Sequence, residues 1–342
     1  MKTKIAFREQ IAERCVHKLT ASGVGKDEAE FVADVLVHAD LRGVESHGVM
    51  RLEHYIAKIE AGGINPRPDI KLSRPTPALA IVHGDDGLGH LVAGKAMETA
   101  IQLAREHGIG LVSVNGSSHC GALSYYVKMA ASHRLIALMM VNTDKLVVPF
   151  GAASPYFGTN PLAYAIPAKR HRPIVLDMAT STVAYGKILY ALENGLPIPP
   201  GWAVDDRGQP TEDPRQARAL LPFGGAKGYG LSLLVDVCAG LLTGSPFGPH
   251  VPAMYGDYAR KRGLGQFIVT IDPDKCSTSG PFAERVDQMI DELRRLPPAP
   301  GIDAVKVPGE LEDDTERERL RHGIPVPETL YDYLFDEEAN PI

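Results

Sequence analysis

Short apolar runs alternate with amphipathic segments from Ala78 onward, and this alternation limits the possible folds more than any other feature of the chain. A strand followed by a helix, repeated several times, is typical of an α/β sheet that is at least partly parallel. The predicted strands are residues 80–82, 110–114, 135–141, 162–166, 174–176 and 266–271, and the predicted helices are residues 92–108, 122–131, 227–242 and 282–296. No predicted strand is followed by G-x-G-x-x-G, and no G-x-x-x-x-G-K-[ST] occurs. An ordinary Rossmann or P-loop nucleotide site is therefore excluded.

The first 75 residues have a different, helical pattern. Residues 7–42 predict two helices that are broken at residues 22–25. Ser46 is a typical N-cap for a third helix, which ends at Gly62 and Gly63. Three further segments are predicted to lie outside regular elements: a proline-rich connection (residues 65–77), a surface excursion (194–224) and a solvated charged tail (312–321).

Composition and charge narrow the classes of partner. The chain has 342 residues, enough for two domains or one large one, and 44% of them are hydrophobic. Its net charge is −6 and it has no basic stripe, so nucleic acid is not an expected partner. The longest apolar run, residues 231–242, is too short to span a bilayer, and the N-terminus lacks a signal-peptide pattern. Four cysteines and twelve histidines show no metal-ligand spacing, so we expect a cytoplasmic protein without a catalytic metal.

Residues 41–51 lead into the first candidate site. On the predicted third helix, His47, Arg51 and Tyr55 recur at i, i+4 and i+8 and share one face. The positive end of the helix dipole and its free N–H groups would lie beside them. This set suits a small carboxylate, which Arg51 would bind while His47 exchanges a proton. The alternative is a capped amphipathic helix whose outer face is simply polar.

His119 is the second candidate, because it lies between a predicted strand and the helix that follows it. Ligands of open α/β sheets gather at such strand ends. An imidazole there suits general acid–base catalysis. The alternative is a polar turn that is capped by Ser118. Cys120 is more typical of a small packing residue than of a nucleophile.

A third candidate is the glycine-rich stretch of residues 223–230, which opens an apolar helix. Glycines let backbone N–H groups approach an anion, and Lys227 is unfavourably placed at a helix N-terminus unless an anion binds there. The sequence therefore indicates a phosphate site, with an exposed solvated lysine as the alternative. Asp177 ends a strand and could hold ribose hydroxyls or cap a helix. The polar groups of the turn at residues 157–162, which contains Thr159, could line the site or could serve only the hydrogen bonds of the turn itself.

Several of these stretches occur together in an order that is similar to one known family. They are Ala39-Asp40-Leu41-Arg42-Gly43, Ser46-His47-Gly48 with Arg51, Gly62-Gly63-Ile64-Asn65-Pro66, His119 with Gly121-Ala122, Phe157-Gly158-Thr159-Asn160-Pro161-Leu162-Ala163, Asp177-Met178-Ala179-Thr180-Ser181 and Lys227-Gly228-Tyr229-Gly230-Leu231. From about residue 7 to residues 307–310, the chain resembles the malate/L-lactate dehydrogenase family, which lacks a Rossmann fold. That family also includes ureidoglycolate and sulfolactate dehydrogenases, diketogulonate reductases and cyclic imino-acid reductases. Residues 147–151 and 156–158 look most like its ureidoglycolate branch.

The resemblance implies a non-Rossmann mixed sheet flanked by helices, a nicotinamide cofactor and a homodimer. It implies that Ser46 and His47 are catalytic, that Arg51 anchors the substrate carboxylate with Thr159 nearby, and that His119 is the base. The implied cofactor-binding residues are Thr143, Asp177, Met178, Ala179, Lys227, Gly228 and, more loosely, Lys306. We expect residues 1–120 and 300–342 to form a helical domain for substrate binding and dimerisation, and residues 121–299 to form the cofactor-binding domain.

Residues and resemblance together predict an NAD(P)-dependent oxidation of a small 2-hydroxy acid, with ureidoglycolate preferred as substrate and NAD as cofactor. The alternatives are oxidation of malate or lactate, reduction of a cyclic imine such as piperideine-2-carboxylate, and a non-catalytic nucleotide or carboxylate sensor. We expect His119 to carry the proton, because a helix N-terminus at His47 would disfavour the imidazolium form of His47.

Overall fold

The computed structural model describes residues 2–278 and 280–336 of the chain. This part of the chain contains twelve strands and eleven α-helices. The strands are β1 (Thr3–Ala6), β2 (Lys71–Thr76), β3 (Leu79–His83), β4 (Ile109–Ser117), β5 (Ile136–Val141), β6 (Leu162–Ile166), β7 (Ile174–Met178), β8 (Ala203–Val204), β9 (Pro210–Thr211), β10 (Ala219–Leu220), β11 (Leu264–Ile271) and β12 (Ile324–Pro327). The helices are α1 (Arg8–Ala21), α2 (Lys26–Leu41), α3 (Leu52–Glu60), α4 (Gly89–His107), α5 (Leu123–Ser132), α6 (Tyr185–Glu193), α7 (Ala226–Asp236), α8 (Pro273–Cys276), α9 (Phe282–Arg294), α10 (Glu310–His322) and α11 (Glu328–Phe335).

The central sheet has seven strands in the order β2-β3-β4-β11-β5-β6-β7. Strands β3 and β4 run parallel, and each of the other neighbouring pairs is antiparallel. The sheet is mixed, which confirms the predicted fold class. Strand β2 was not predicted, because its proline made the passage look like a connection. It is an exposed edge strand, where a missing backbone N–H is tolerated.

The main hydrophobic core lies between this sheet and the helices α4 and α5. Helix α4 packs on β4 and β11, and helix α5 packs on β5 and β6. The residues that predicted the α4 helix by their spacing, Val92, Ala96, Ala100 and Leu103, are all completely buried. Burial of such side chains is the main favourable contribution to folding. Elsewhere in the chain, the π-helical turn of residues 237–241 that continues α7 contacts β11 and β5.

The N-terminal region is helical, as predicted, but the third helix begins later than expected. Residues 45–51 form two 3₁₀ turns, and α3 starts only at Leu52. Ser46 is therefore not an N-cap, and that prediction was wrong. The physical reason is a contact with the end of the preceding helix: the buried carboxylate of Asp40 accepts a hydrogen bond from the backbone N–H of Val49 at 2.9 Å and holds the turns in place.

Two segments that were predicted to be irregular contain regular structure. The tail forms helix α10, because Asp313 is buried there in an ion pair with Arg42 at 2.5 Å. The excursion of residues 194–224 carries the small sheet β10-β8-β9, whose buried Ala203 and Leu220 belong to an apolar cluster. The ion pair and the apolar cluster each join distant parts of the sequence, so local patterns do not reveal them.

The central sheet combines strands from both predicted domains. Strands β3 and β4 come from residues 1–120, and β5, β6, β7 and β11 come from residues 121–299. The division into a substrate-binding and a cofactor-binding domain remains a prediction. Among the helices described for residues 2–278 and 280–336, none has the length and apolar character needed to cross a membrane.

Candidate active site

Several candidate residues lie beyond the same end of neighbouring strands. The register of β5, β6 and β7 places Met140, Leu162 and Met178 side by side. Thr143, Thr159 and Ala179 lie just beyond these positions in the chain. His119 likewise follows β4, which pairs with β11, and β11 in turn pairs with β5. The sheet therefore brings residues from four separate segments to one edge.

His47 and His119 lie together at this edge. Their rings are stacked, with centroids 5.4 Å apart and an angle of 29° between the ring planes. The hydroxyl of Tyr55 lies 2.6 Å from Nδ1 of His119, and the hydroxyl of Ser46 lies 2.9 Å from Nδ1 of His47. The structure thus joins the two histidines that the sequence placed in separate motifs, each with a hydroxyl at its Nδ1.

Arg51 is fixed beside the histidines by two contacts. Its Nε donates to the carbonyl oxygen of Ser46 at 2.7 Å, and its Nη1 donates to the hydroxyl of Tyr255. A guanidinium has five N–H donors, so donors remain for a carboxylate. Tyr255 was missed as a site residue, since its contact with Arg51 spans 204 positions and leaves no local signal.

Burial makes both site histidines weaker bases than free histidine. It lowers the pKa of His47 to about 4, and the nearby cation of Arg51 adds to the effect. Burial also lowers the pKa of His119 well below its ordinary value, with further contributions from His47 and Arg51. Both rings are therefore neutral at pH 7. The expected reason for preferring His119, a helix dipole at His47, was wrong because no α-helix begins there.

Asp40 holds the segment that carries His47, a role that the sequence did not suggest. It is 4% exposed and accepts the N–H of Val49, as described above. Gly48 packs directly on this carboxylate, because a Cβ at position 48 would lie 1.8 Å from Oδ1 of Asp40. Burial raises the pKa of Asp40 to about 7. The carboxyl thus clamps the chain immediately after His47.

This pKa predicts how the stability of an Asp40→Asn variant depends on pH. Because the folded-state pKa of Asp40 lies above the unfolded value, the folded protein keeps a proton that the unfolded chain releases. The contribution of Asp40 to the free energy of unfolding is therefore greatest below about pH 4 and falls until about pH 7. Asparagine keeps the acceptor oxygen without an ionisable group. Between pH 4 and pH 8, the free energy of unfolding of the variant should therefore rise by roughly 1–4 kcal/mol relative to that of the wild type.

Urea unfolding at pH 4, 6 and 8 measures this difference. Asp206→Asn removes an exposed carboxylate and is the matched control, with no comparable gain expected. Parallel pH curves for the wild type and Asp40→Asn would contradict the assignment.

Hydrogen bonds link the cofactor candidates at the ends of β5 and β6 to each other and to α7. The hydroxyls of Thr143 and Thr159 are 3.4 Å apart. Asn160 belongs to the turn of residues 157–162 but was not named individually as a site residue, and it is completely buried. Its side chain accepts from the backbone N–H of Thr143 at 3.1 Å and donates to the carbonyl of Ser232 on α7 at 3.1 Å. Asn160 thereby attaches helix α7 to the strand ends.

Asp177 is exposed, and one of its oxygens accepts the backbone N–H of Ser124 at 2.7 Å. It therefore binds the start of α5, the helix that follows His119, rather than the helix after Asp177. The hydroxyl of Ser124 and the backbone N–H of Leu123 also hydrogen-bond to this carboxylate. Met178 and Ala179, which follow Asp177 in the chain, are half-buried.

Lys227 is exposed in the first turn of α7. The preceding Gly224 and Gly225 have φ of +57° and +63°, a conformation that favours glycine. The N–H of Gly225 donates to the carbonyl oxygen of Pro222 at 3.2 Å. Gly228 must also be small, because a Cβ there would lie 2.1 Å from the carbonyl oxygen of Phe223.

The chain before Lys227 is attached to the residues that follow β7, since Phe223 N–H donates to the carbonyl of Thr180 at 3.1 Å. The structure thus brings Lys227 to the segment of Asp177. Lys306 is exposed and paired with Asp314 at 2.5 Å, and Pro308 nearby accepts from Val175 of β7 at 3.0 Å. In the part of the chain that the structure describes, no group of three or more His, Cys, Asp or Glu could hold a metal ion.

Comparison with known proteins assigns this arrangement to a class of α/β dehydrogenases. The chain belongs to the malate/L-lactate dehydrogenase family, whose model matches residues 7–335. It is 42% identical over 330 residues to the ureidoglycolate dehydrogenase (NAD(+)) of Escherichia coli O157:H7, which covers 96% of this chain and 95% of that relative.

Solved structures agree with this assignment. The sulfolactate dehydrogenase from Methanocaldococcus jannaschii superposes with a TM-score of 0.91 at 37% identity, covering 97% of this chain and 95% of the other. The Δ1-piperideine-2-carboxylate reductase of Pseudomonas syringae pvar. tomato superposes with a TM-score of 0.88 at 31% identity, covering 97% of this chain and 99% of the other. The predicted family and the oxidoreductase class are confirmed.

Proposed function

We propose that this protein oxidises ureidoglycolate to oxalurate with NAD as the hydride acceptor. The observation that carries the proposal is the cluster in which the fixed guanidinium of Arg51 lies beside two neutral imidazoles, those of His47 and His119. Similarity to a ureidoglycolate dehydrogenase supports the choice of substrate.

Arg51 binds the carboxylate of the 2-hydroxy acid. Its contacts with Ser46 and Tyr255 fix the guanidinium plane before the substrate arrives, and preorganised donors of this kind position the reacting carbon. Thr159 is a further substrate-binding candidate. Its hydroxyl lies 3.4 Å from the hydroxyl of Thr143, which is one of the cofactor candidates.

His119 takes the proton of the substrate hydroxyl, and His47 with Ser46 orients the substrate. A base must be unprotonated before the step, and the lowered pKa of His119 meets this condition at neutral pH. When bound, the nicotinamide supplies the site that accepts the hydride from C2 of the substrate.

The residues at the cofactor candidates fit a dinucleotide. The cation of Lys227 in the first turn of α7, beside the glycine-rich chain that precedes this helix, suits phosphate, and the side chains of Thr143 and Asp177 suit polar hydroxyls. Met178, Ala179, Gly228 and Lys306 complete the proposed cofactor set. A carboxylate such as that of Asp177 repels a 2′-phosphate, and this supports NAD over NADP.

Lys227→Ala should raise the apparent Kd for the cofactor by roughly tenfold, because a charge-assisted contact with phosphate is lost. The fold should be unchanged, since Lys227 is exposed. Titration of the intrinsic fluorescence with NADH measures the affinity. Lys71→Ala, an exposed change on the distant edge strand β2, is the control. Equal affinities of Lys227→Ala and the wild type would refute the phosphate assignment.

A screen of absorbance at 340 nm tests the proposed substrate. Ureidoglycolate, malate, lactate and piperideine-2-carboxylate would each be paired with both nicotinamide cofactors. We expect the highest kcat/KM for ureidoglycolate with NAD. A preference for malate or for the cyclic imine would assign the site to another branch of the family. Absence of turnover with all four would favour the non-catalytic sensor.

We also propose that two copies of the chain form a homodimer. Helix α6 and the outer side of α7 with its π-helical turn expose many large apolar side chains; they include Leu189, Tyr190, Leu192, Leu231, Leu233, Leu234, Val237 and Leu241. Contiguous exposed apolar surface is typical of an interface. Light scattering of the purified protein would give the mass of a single chain if this proposal is wrong. Localisation in the cytoplasm remains a prediction from the sequence.

A further inference from the structure

The Nδ1 nitrogen of His119 contacts two groups of the chain. The hydroxyl of Tyr55 lies 2.6 Å from it, and the backbone N–H of Gly121 points at it from 3.3 Å. Tyr55 is completely buried, and the edge of its ring packs against His90 with ring centroids 4.9 Å apart. Packing therefore keeps the hydroxyl beside Nδ1.

The two groups differ in the tautomer of His119 that they allow. A neutral imidazole carries one hydrogen, so a ring whose Nε2 is free to take a proton must carry its hydrogen on Nδ1. The backbone N–H of Gly121 can only donate, and it favours the opposite tautomer, with a bare Nδ1. A phenol hydroxyl can accept as well as donate. Of the two groups, only Tyr55 can accept a hydrogen bond from a protonated Nδ1.

We propose that Tyr55 is a positioning residue that holds His119 in the tautomer with hydrogen on Nδ1, so that Nε2 is the base. This inference rests on the proposed function, in which His119 takes the hydroxyl proton of the substrate. In that step the O–H bond of the substrate breaks and an N–H bond forms at Nε2. The Nδ1 hydrogen stays on Nδ1, bonded to the oxygen of Tyr55. Burial raises the pKa of Tyr55 far above its ordinary value, so the phenol keeps its own proton.

The other ionisable groups near His119 all shift its pKa in the same direction. They are His47, His90, Arg51 and Arg262, and positive charge on any of them lowers the pKa of His119. None of them is altered when the hydroxyl of Tyr55 is removed. A change in the protonation of His119 can then be attributed to the lost hydroxyl.

Tyr55→Phe removes the hydroxyl and keeps the buried ring. In the oxidation direction we expect kcat to fall by roughly 10–10²-fold, with KM for the hydroxy acid nearly unchanged. The acidic limb of the rate profile should move to lower pH, because the imidazolium loses its acceptor at Nδ1 and faces only the N–H of Gly121. A purely structural role would lower activity without moving this limb.

Tyr125→Phe is the matched control. Its hydroxyl donates to Asp34 at 2.8 Å, so the variant also loses a tyrosine hydrogen bond, but one that does not involve His119. We expect its kcat and its pH profile to equal those of the wild type. Equal profiles for Tyr55→Phe and Tyr125→Phe would overturn the proposal.

A second readout does not depend on turnover. In protein labelled with ¹⁵N-histidine, NMR reports the tautomer and the pKa of His119, and the signal that is lost in His119→Ala identifies the residue. We expect hydrogen on Nδ1 in the wild type, and hydrogen on Nε2 with a lower pKa in Tyr55→Phe. The same tautomer and pKa in both proteins would refute the role of Tyr55. A wild type that turns over no hydroxy acid would refute the proposed function, and the NMR comparison would still decide the role of Tyr55.

Discussion

His119→Ala is expected to lower kcat for hydroxy-acid oxidation by roughly 10²–10⁴-fold, the usual contribution of general acid–base catalysis. The variant removes the imidazole that lies against both Tyr55 and His47. Because burial lowers the pKa of His119, wild-type kcat/KM should rise with pH at values below 6.5 and be constant at neutral pH. That acidic limb should disappear in the variant.

Two further histidine variants make this test specific. His83→Ala changes an exposed histidine at the end of β3 and should retain full activity. His47→Ala should lose activity but keep the acidic limb. If His119→Ala keeps the limb and His47→Ala loses it, the roles of the two histidines must be exchanged.

Arg51→Lys is expected to lower kcat/KM by roughly 10–10²-fold, mainly through a higher KM for the acid. Lysine keeps the positive charge but loses the planar fork, and a charge-assisted hydrogen bond contributes about 1.5–3 kcal/mol. Lysine also cannot bond Ser46 and Tyr255 in the same geometry as the guanidinium does.

Steady-state kinetics with several acids measure the effect of Arg51→Lys. Arg74→Lys, which changes an exposed arginine on β2, is the control. An unchanged KM for every acid would remove Arg51 from the substrate site.

Local patterns predicted the elements that depend on neighbouring residues. The strand at residues 162–166 has the predicted bounds, and the spacing of Val92, Ala96 and Leu103 placed helix α4 correctly. The spacing of His47, Arg51 and Tyr55 also indicated one shared site, although the backbone there is not the expected helix. Tyr55 and His47 both lie against His119, and the cation of Arg51 lies near His47.

Contacts between distant residues explain what the sequence did not reveal. Asp40 holds the backbone after His47 through the N–H of Val49, nine positions away, and Tyr255 contacts Arg51 across 204 positions. Helix α10 forms in a segment that looked solvated, because Asp313 is buried against Arg42. No periodic pattern or short motif marks such pairs, since each depends on the folded chain.

Transfer of deuterium from labelled ureidoglycolate tests the central claim most directly. The substrate would carry deuterium at the carbon that bears the hydroxyl, and the reduced cofactor would be isolated and weighed by mass spectrometry. We predict one deuterium in each NADH that forms, because hydride moves directly between the two bound molecules. Reduced cofactor without deuterium, or no reduced cofactor at all, would contradict this account.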